Sequence, residues 1–227
     1  YALANGVGTL GDGVVLGDSS SWTGTVQITN VSTGNMSELL SGLTNGAGTV
    51  SVANLTGWFN TVDCAANIKL VNGEGTPAIS INNGNADAVG ETQRYAVLSG
   101  TISGDGDIKY LGWSTHANRQ VNYKFTGEVS GWNGSFINAG QQERTVNIIF
   151  EGDTEINASV LNQGNVETSK TVLTIGGASA VTMNGDVDVT NLVLEQATSF
   201  NGSVAVSNSL TNNGGMTLSN DLTLAGQ

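Results

Sequence analysis

Met183-Asn-Gly-Asp-Val-Asp-Val189 is followed 17 positions later by Phe200-Asn-Gly-Ser-Val-Ala-Val206, and after 18 more by the looser Leu218-Ser-Asn-Asp-Leu-Thr-Leu224. The shared pattern is a large apolar residue, Asn, Gly, a variable residue, and two apolar residues at alternate positions. Alternation at period two sends Val187, Val189, Val204, Val206, Leu222 and Leu224 to one side of a strand, and Asp186, Asp188, Ser203, Ala205, Asp221 and Thr223 to the other. One side is a core and the other meets water. A fixed period near 20 residues is the signature of a solenoid, in which each turn buries its apolar face against the next.

The steps Asn184-Gly185, Asn201-Gly202 and Ser219-Asn220 ahead of these strands predict a corner, with positive φ expected at Gly185, Gly202 and Asn220. Rungs of a parallel solenoid lie about 4.8 Å apart, so Asn184, Asn201 and Ser219 are expected to form a hydrogen-bonded ladder. Eight positions before each anchor stands another apolar residue (Ile175, Leu192, Leu210), followed after six positions by Val181, Thr198 and Met216. Ile148, Thr154, Ile156 and Val160 fit the same template 27 residues upstream, the excess being assigned to a polar loop from Asn162 to Thr171. Ile102, Ile108, Tyr110 and Gly112 fit it again before the register dissolves near His116. Trp22-Thr-Gly-Thr-Val-Gln-Ile28 and Phe125-Thr-Gly-Glu-Val129, counted with Ile156–Val160, bring the related segments to six.

Residues 1–95 read as less regular rungs and 96–227 as regular ones, in one continuous all-β solenoid. In the first part Val14–Leu16, Val26–Ile28, Val50–Val52, Ile68–Val71 and Ile79–Ile81 are short β-rich runs between Gly, Asn and Ser clusters. Asn35-Met-Ser-Glu38 resembles a capping box and predicts one helical turn through Leu39-Leu40 to Gly42. Composition agrees with a solenoid. Gly supplies 32 of 227 residues and charged residues only 11%, against roughly 7% and 25% in ordinary domains.

A net charge of −12, from 19 acidic and 7 basic residues, removes the electrostatic basis for binding nucleic acid or an anionic membrane. Cys64 stands alone, so no intrachain disulfide forms, and it reads as a small buried apolar residue. Tyr1 opens the chain with no signal peptide or transmembrane run, which reads as a mature or trimmed piece. Repeat arrays need caps, and Gln227 follows a strand directly, so the natural protein is expected to continue past it.

The stretch Tyr95-Ala-Val-Leu-Ser-Gly-Thr-Ile-Ser-Gly-Asp-Gly-Asp-Ile-Lys-Tyr-Leu-Gly112 resembles the autotransporter-associated β-strand repeat, which runs approximately Leu-Ser-Gly-x-Ile-Ser-Gly-x-Gly-x-Leu-x-Lys-x-Gly. Trp132-Asn-Gly-Ser-Phe-Ile-Asn-Ala-Gly140 matches the second half of that repeat, and Ser21–Ile28 echoes it. The match covers about residues 95–140 and departs from the pattern at the polar insert Ser114–Gln120. The resemblance implies a right-handed parallel β-helix, the passenger of a Gram-negative surface protein, exported through a C-terminal translocator barrel that this chain does not contain. It implies an extracellular or cell-surface location, and surface glycans or proteins as partners.

Chemistry is sparse. Gly104-Asp-Gly-Asp107 has the look of a Ca²⁺ loop but lacks the further spaced ligands and terminal Glu of an EF-hand. His116 is the only histidine, which excludes a His-based metal cluster, and no Ser lies in a nucleophile elbow. Asp186 and Asp221 share an outward column two rungs, about 9.6 Å, apart, near the ~9.5 Å limit for an inverting carboxyl pair, yet outward carboxylates are ordinarily just solvated. Of the tryptophans, Trp22 and Trp132 take the inward anchor slot, Trp58 is unassigned, and Trp113 falls outward as the candidate glycan-stacking residue. No catalytic, cofactor or metal residue is assigned. The reading is a rigid, non-enzymatic scaffold for adhesion or surface interaction, with a glycan-binding module, or less readily a carbohydrate-active enzyme, as the alternatives. Convergence of the loops at 113–122 and 162–171 over one face would favour a ligand.

Overall fold

The computed structural model describes residues 7–10, 23–33, 36–41, 48–57, 63–73, 75–82, 87–88, 95–112, 119–140, 144–164 and 169–225. Apart from one short helix the chain is all-β, and nearly all its strands stack in parallel, turn upon turn, into a β-solenoid. Three faces run its length. The first passes from the start of Thr25–Ser32 to the start of Thr49–Gly57, then to Asn67–Leu70 and Ile102–Gly104. A bridge from Gly104 to Trp132 carries it on towards Glu155–Ile156, Val181–Met183, Thr198–Phe200 and Met216–Leu218. The second stacks Leu55–Gly57, Ile79–Ile81, Ile108–Tyr110, Ser135–Asn138 and Ser159–Asn162, then the starts of Val187–Leu194 and Val204–Asn212, and Leu222–Leu224. The third stacks Asp63–Cys64, Tyr95–Leu98, Arg119–Phe125, Arg144–Phe150, Ser169–Ile175 and the ends of Val187–Leu194 and Val204–Asn212.

The anchoring repeat lies where its spacing placed it. Met183 pairs with Phe200 and Phe200 with Leu218, while Val187, Val204 and Leu222 line up in the next column. The Asn ladder is present and longer than its repeat showed. Asn157 donates to the Ser130 carbonyl (2.6 Å), Asn184 to Asn157 Oδ1 (2.6 Å), Asn201 to Asn184 Oδ1 (2.7 Å), and the Ser219 hydroxyl to Asn201 Oδ1 (3.1 Å). Each bond ties one turn to the next where backbone ladders are interrupted by the corner.

The glycines of this corner have a different cause from the one expected. Neither Gly185, Gly202 nor Asn220 has positive φ. A Cβ on Gly185 would instead lie 2.2 Å from the Ala158 carbonyl oxygen, and one on Gly202 2.3 Å from that of Gly185. Close approach of successive turns excludes the side chain. Left-handed backbone occurs elsewhere, at Asn30 (φ 55) and Asn54 (φ 56), which bend two stacked strands at the same point and hydrogen-bond through their amides at 2.8 Å.

Three further registers differ from expectation. Leu173, not Ile175, pairs with Leu192, and Ile175 pairs with Leu194. A slip of two keeps the same side chains inward, so periodicity alone cannot detect it. Ile102 belongs to the first face and Ile108 to the second, in the Val160 column, because the step between faces resembles the template's own spacing. Val26 and Ile28 lie on the first face and Phe125 on the third, so the Trp22 and Phe125 segments are not copies of the anchor. The Phe125 segment turns a second corner built on the same principle, where a Cβ on Gly127 would meet the Gly100 carbonyl oxygen at 2.1 Å.

The helix Met36–Ser41 stands as its capping box predicts and buries Met36 and Leu40. In this early part a strand pairing of Asp87–Ala88 runs antiparallel to Arg119–Phe125. The interior is apolar, with an aromatic stack in which Phe125 and Phe150 lie 5.0 Å apart and Trp132 packs 5.7 Å from Phe125. Cys64 is buried in the core, paired with Leu98, and burial pushes its thiol pKa up. Leu218 and Leu224 are exposed in the turn that pairs on one side only.

Candidate functional site

In the middle of the solenoid the strands of the second and third faces are separate elements, joined by segments that lie partly outside the described residues. Residues 111–118 follow Ile108–Tyr110, 139–143 follow Ser135–Asn138, and 163–168 follow Ser159–Asn162. Tyr110 pairs with Asn138 and Asn138 with Asn162 on the near side; Arg119 pairs with Arg144 and Arg144 with Ser169 on the far side. The three connections therefore join the same two faces in consecutive turns. The next turns pass the same corner without a loop, Val187–Leu194 continuing through Thr190 with only a register irregularity.

At this corner the interior turns polar. The slots that hold Val189 and Val206 further on hold Tyr110, Asn138 and Asn162 here, and all three are buried. Arg144, Ser169 and Thr171 are buried from the opposite face. Asn138 Nδ2 donates to Ser169 Oγ (3.1 Å) and Thr171 Oγ1 (2.9 Å), and its Oδ1 accepts the Gly140 N–H at 3.0 Å. Thr171 N–H donates to Thr190 Oγ1 at 3.0 Å. These bonds satisfy backbone that leaves the ladder at the corner.

Arg144 Nη1 donates to the Tyr110 hydroxyl at 2.7 Å. Burial pushes the Tyr110 pKa up, while the charge and hydrogen bond of Arg144 pull it down less strongly. Burial, reinforced by Tyr110, raises Tyr123 well above 10. Both phenols are thus neutral at ordinary pH. Among the described residues the ion pair is Lys124–Glu151 at 2.7 Å, on the outer wall, and Arg144 makes none.

The carboxylates singled out in the sequence serve the corners. Asp186 Oδ1 accepts the Ser203 N–H at 2.8 Å, and the exposed Asp186 and Asp221 flank Ser203 in their column. Asp107 of the Gly104–Asp107 run accepts the Ser135 N–H (2.9 Å) and receives Asn72 Nδ2 (3.4 Å), and no three His, Cys, Asp or Glu cluster as a metal set among the described residues. Asp153 makes the fullest corner cap. Its carboxylate accepts the N–H groups of Val129, Ser130, Thr154 and Glu155. Burial alone would raise its pKa, but these four backbone donors outweigh it and hold the carboxyl below its ordinary 3.8.

Trp132 is fully buried and donates its indole N–H to the Gly106 carbonyl (2.8 Å), a packing role. Trp22, Trp58, Trp113 and His116 lie outside the described residues. The expected loop Asn162–Thr171 is shorter than drawn, since Asn162, Ser169 and Thr171 are buried strand residues. Sequence reading missed the polar cluster, although its signal was there. Extending the apolar-x-apolar half of the repeat upstream gives Val160-x-Asn162 and Phe136-x-Asn138, two inward slots filled by amides. Compared with protein-family models, with curated proteins and with solved structures, the chain matches none.

Proposed function

We propose that this chain is a cell-surface passenger of the autotransporter kind, a rigid β-helical scaffold that holds the corner between its second and third faces out towards a glycan or protein of another surface. One observation carries this reading. Three consecutive turns carry inserted residues, 111–118, 139–143 and 163–168, between the same two faces, while close backbone approach at Gly127, Gly185 and Gly202 keeps other corners tight. A stack so constrained fixes the ends of adjacent inserts at the rung spacing on a rigid support, which lowers the ordering cost of binding. Resemblance of residues 95–140 to the autotransporter repeat supports export to the outside of a Gram-negative cell. In this reading the chain performs no catalysis.

The test is binding of the purified chain to glycan arrays and to immobilised extracellular-matrix proteins, with two variants. Replacing residues 113–118 by a Gly/Ser segment should weaken binding at least tenfold. Thr182→Lys, on the outer wall of the first face, should leave it unchanged. Equal loss from both variants, or no binding to either surface class, contradicts the reading.

A further inference from the structure

We propose that Arg144 is the receptor for a small carboxylate at the start of its third-face strand. This inference goes beyond the scaffold reading and does not depend on it. The Arg144 side chain opens the strand Arg144–Phe150, points inward beside Ser169, and is only 3% exposed. Its guanidinium stays charged in any protein environment, so it cannot escape burial by losing a proton. Nη1 is satisfied by Tyr110, but Nε is buried without an acceptor. Among the described residues, what surrounds it supplies dipoles rather than charge. The hydroxyls of Tyr110 and Ser169 and the amide of Asn138 are neutral, and Gly140 closes on the same cluster, a Cβ there lying 3.2 Å from both Ser169 Oγ and the Tyr110 ring.

A buried cation without a counter-charge is strongly unfavourable, whereas a charge-assisted pair restores most of what desolvation removes. The guanidinium edge formed by Nε and Nη2 presents two parallel N–H bonds, the fork that a carboxylate accepts in bidentate fashion. Arg144 therefore selects a planar carboxylate over a spherical halide.

Acetate is the probe. The full chain is melted in sodium acetate and in sodium chloride at equal ionic strength and pH 7. A saturable, acetate-specific rise in Tm of roughly 5 °C at a hundredfold excess over Kd is expected. Tyr110→Phe should keep the rise and Arg144→Met should lose it. In case Arg144→Met does not fold, the ¹⁵N-labelled chain gives a second readout, in which the Arg144 Nε–H resonance should move saturably with acetate and not with chloride. Identical wild-type melts in the two salts, an unmoved Nε–H resonance, or a rise that persists in Arg144→Met overturns the proposal. The first two outcomes would mean that the charge is met from within the chain or by water.

Discussion

The turns between residues 95 and 175 and those between 181 and 224 share three faces and one continuous register, yet their interiors differ at the corner joining the second face to the third. In the later turns that corner is a bend inside a single strand and its inward slots hold Val189 and Val206. In the earlier turns the two faces are built from separate strands, and the equivalent slots hold Tyr110, Asn138 and Asn162. The difference teaches where a solenoid tolerates polarity in its core. A strand that runs through the corner needs only one register irregularity, and apolar side chains fill its inward slots; where the strand ends, an inward amide can satisfy a backbone donor, as Asn138 does for Gly140.

Exchanging the two kinds of slot tests this directly. Val189→Asn should cost about 2–4 kcal/mol, from lost packing and an amide with no loop backbone to satisfy. Chemical denaturation at pH 7 reads the loss, and a change under 1 kcal/mol would break the contrast. Asp153 sharpens it from the tight-corner side. Asp153→Asn turns an acceptor pair into one acceptor and one donor among four N–H groups, and should cost about 1–2 kcal/mol at pH 7. Because the folded carboxyl titrates below 3.8, its contribution is complete above that value and is lost as pH falls through the lower folded-state pKa. The variant and the parent should therefore converge in stability as pH falls through that lowered folded-state pKa, and a pH-independent gap would show that the carboxylate charge is not what caps the corner. The smallest effect is a gain. Asn162 Oδ1 is buried with no hydrogen-bond donor, so Asn162→Val should stabilise by about 1 kcal/mol. Destabilisation there would mean that this slot differs from the one Val189 fills.

Much of this fold is written in the period of the chain, because inward apolar pairs and small corner residues are dictated by the pleat and by rung spacing. The column from Met183 to Leu218 and the ladder Asn184–Asn201–Ser219 follow from that alone. What stayed hidden has two physical causes. Corners of different faces use the same chemistry, glycine against a carbonyl of the preceding turn, so Phe125-Thr-Gly127 imitates Met183-Asn-Gly185. A slip of two residues preserves every inward side chain, so the third-face register of Ile175 could not be read from hydropathy. The polar cluster was half legible, in Asn138 and Asn162 at inward slots, but Arg144 was not. It sits at the first inward position of a strand that follows a loop, where no repeat fixes the direction of a side chain.

Disulfide trapping across the junction of the two regions tests the three-faced register most directly. Thr174 pairs with Val193, both half-buried on the outer side of the third face. The eight-position template would pair Thr174 with Asn191 instead. In-register neighbours on adjacent rungs lie within the Cα separation a disulfide spans, about 4.4–6.8 Å, whereas residues offset by two along the strand lie beyond it. Mild oxidation of Thr174→Cys/Val193→Cys should give near-complete intramolecular cross-linking, seen by peptide mass mapping, and Thr174→Cys/Asn191→Cys should give little. Efficient trapping of the second pair and not the first would contradict the register, and with it the corner at which the loops and the buried Arg144 are brought together.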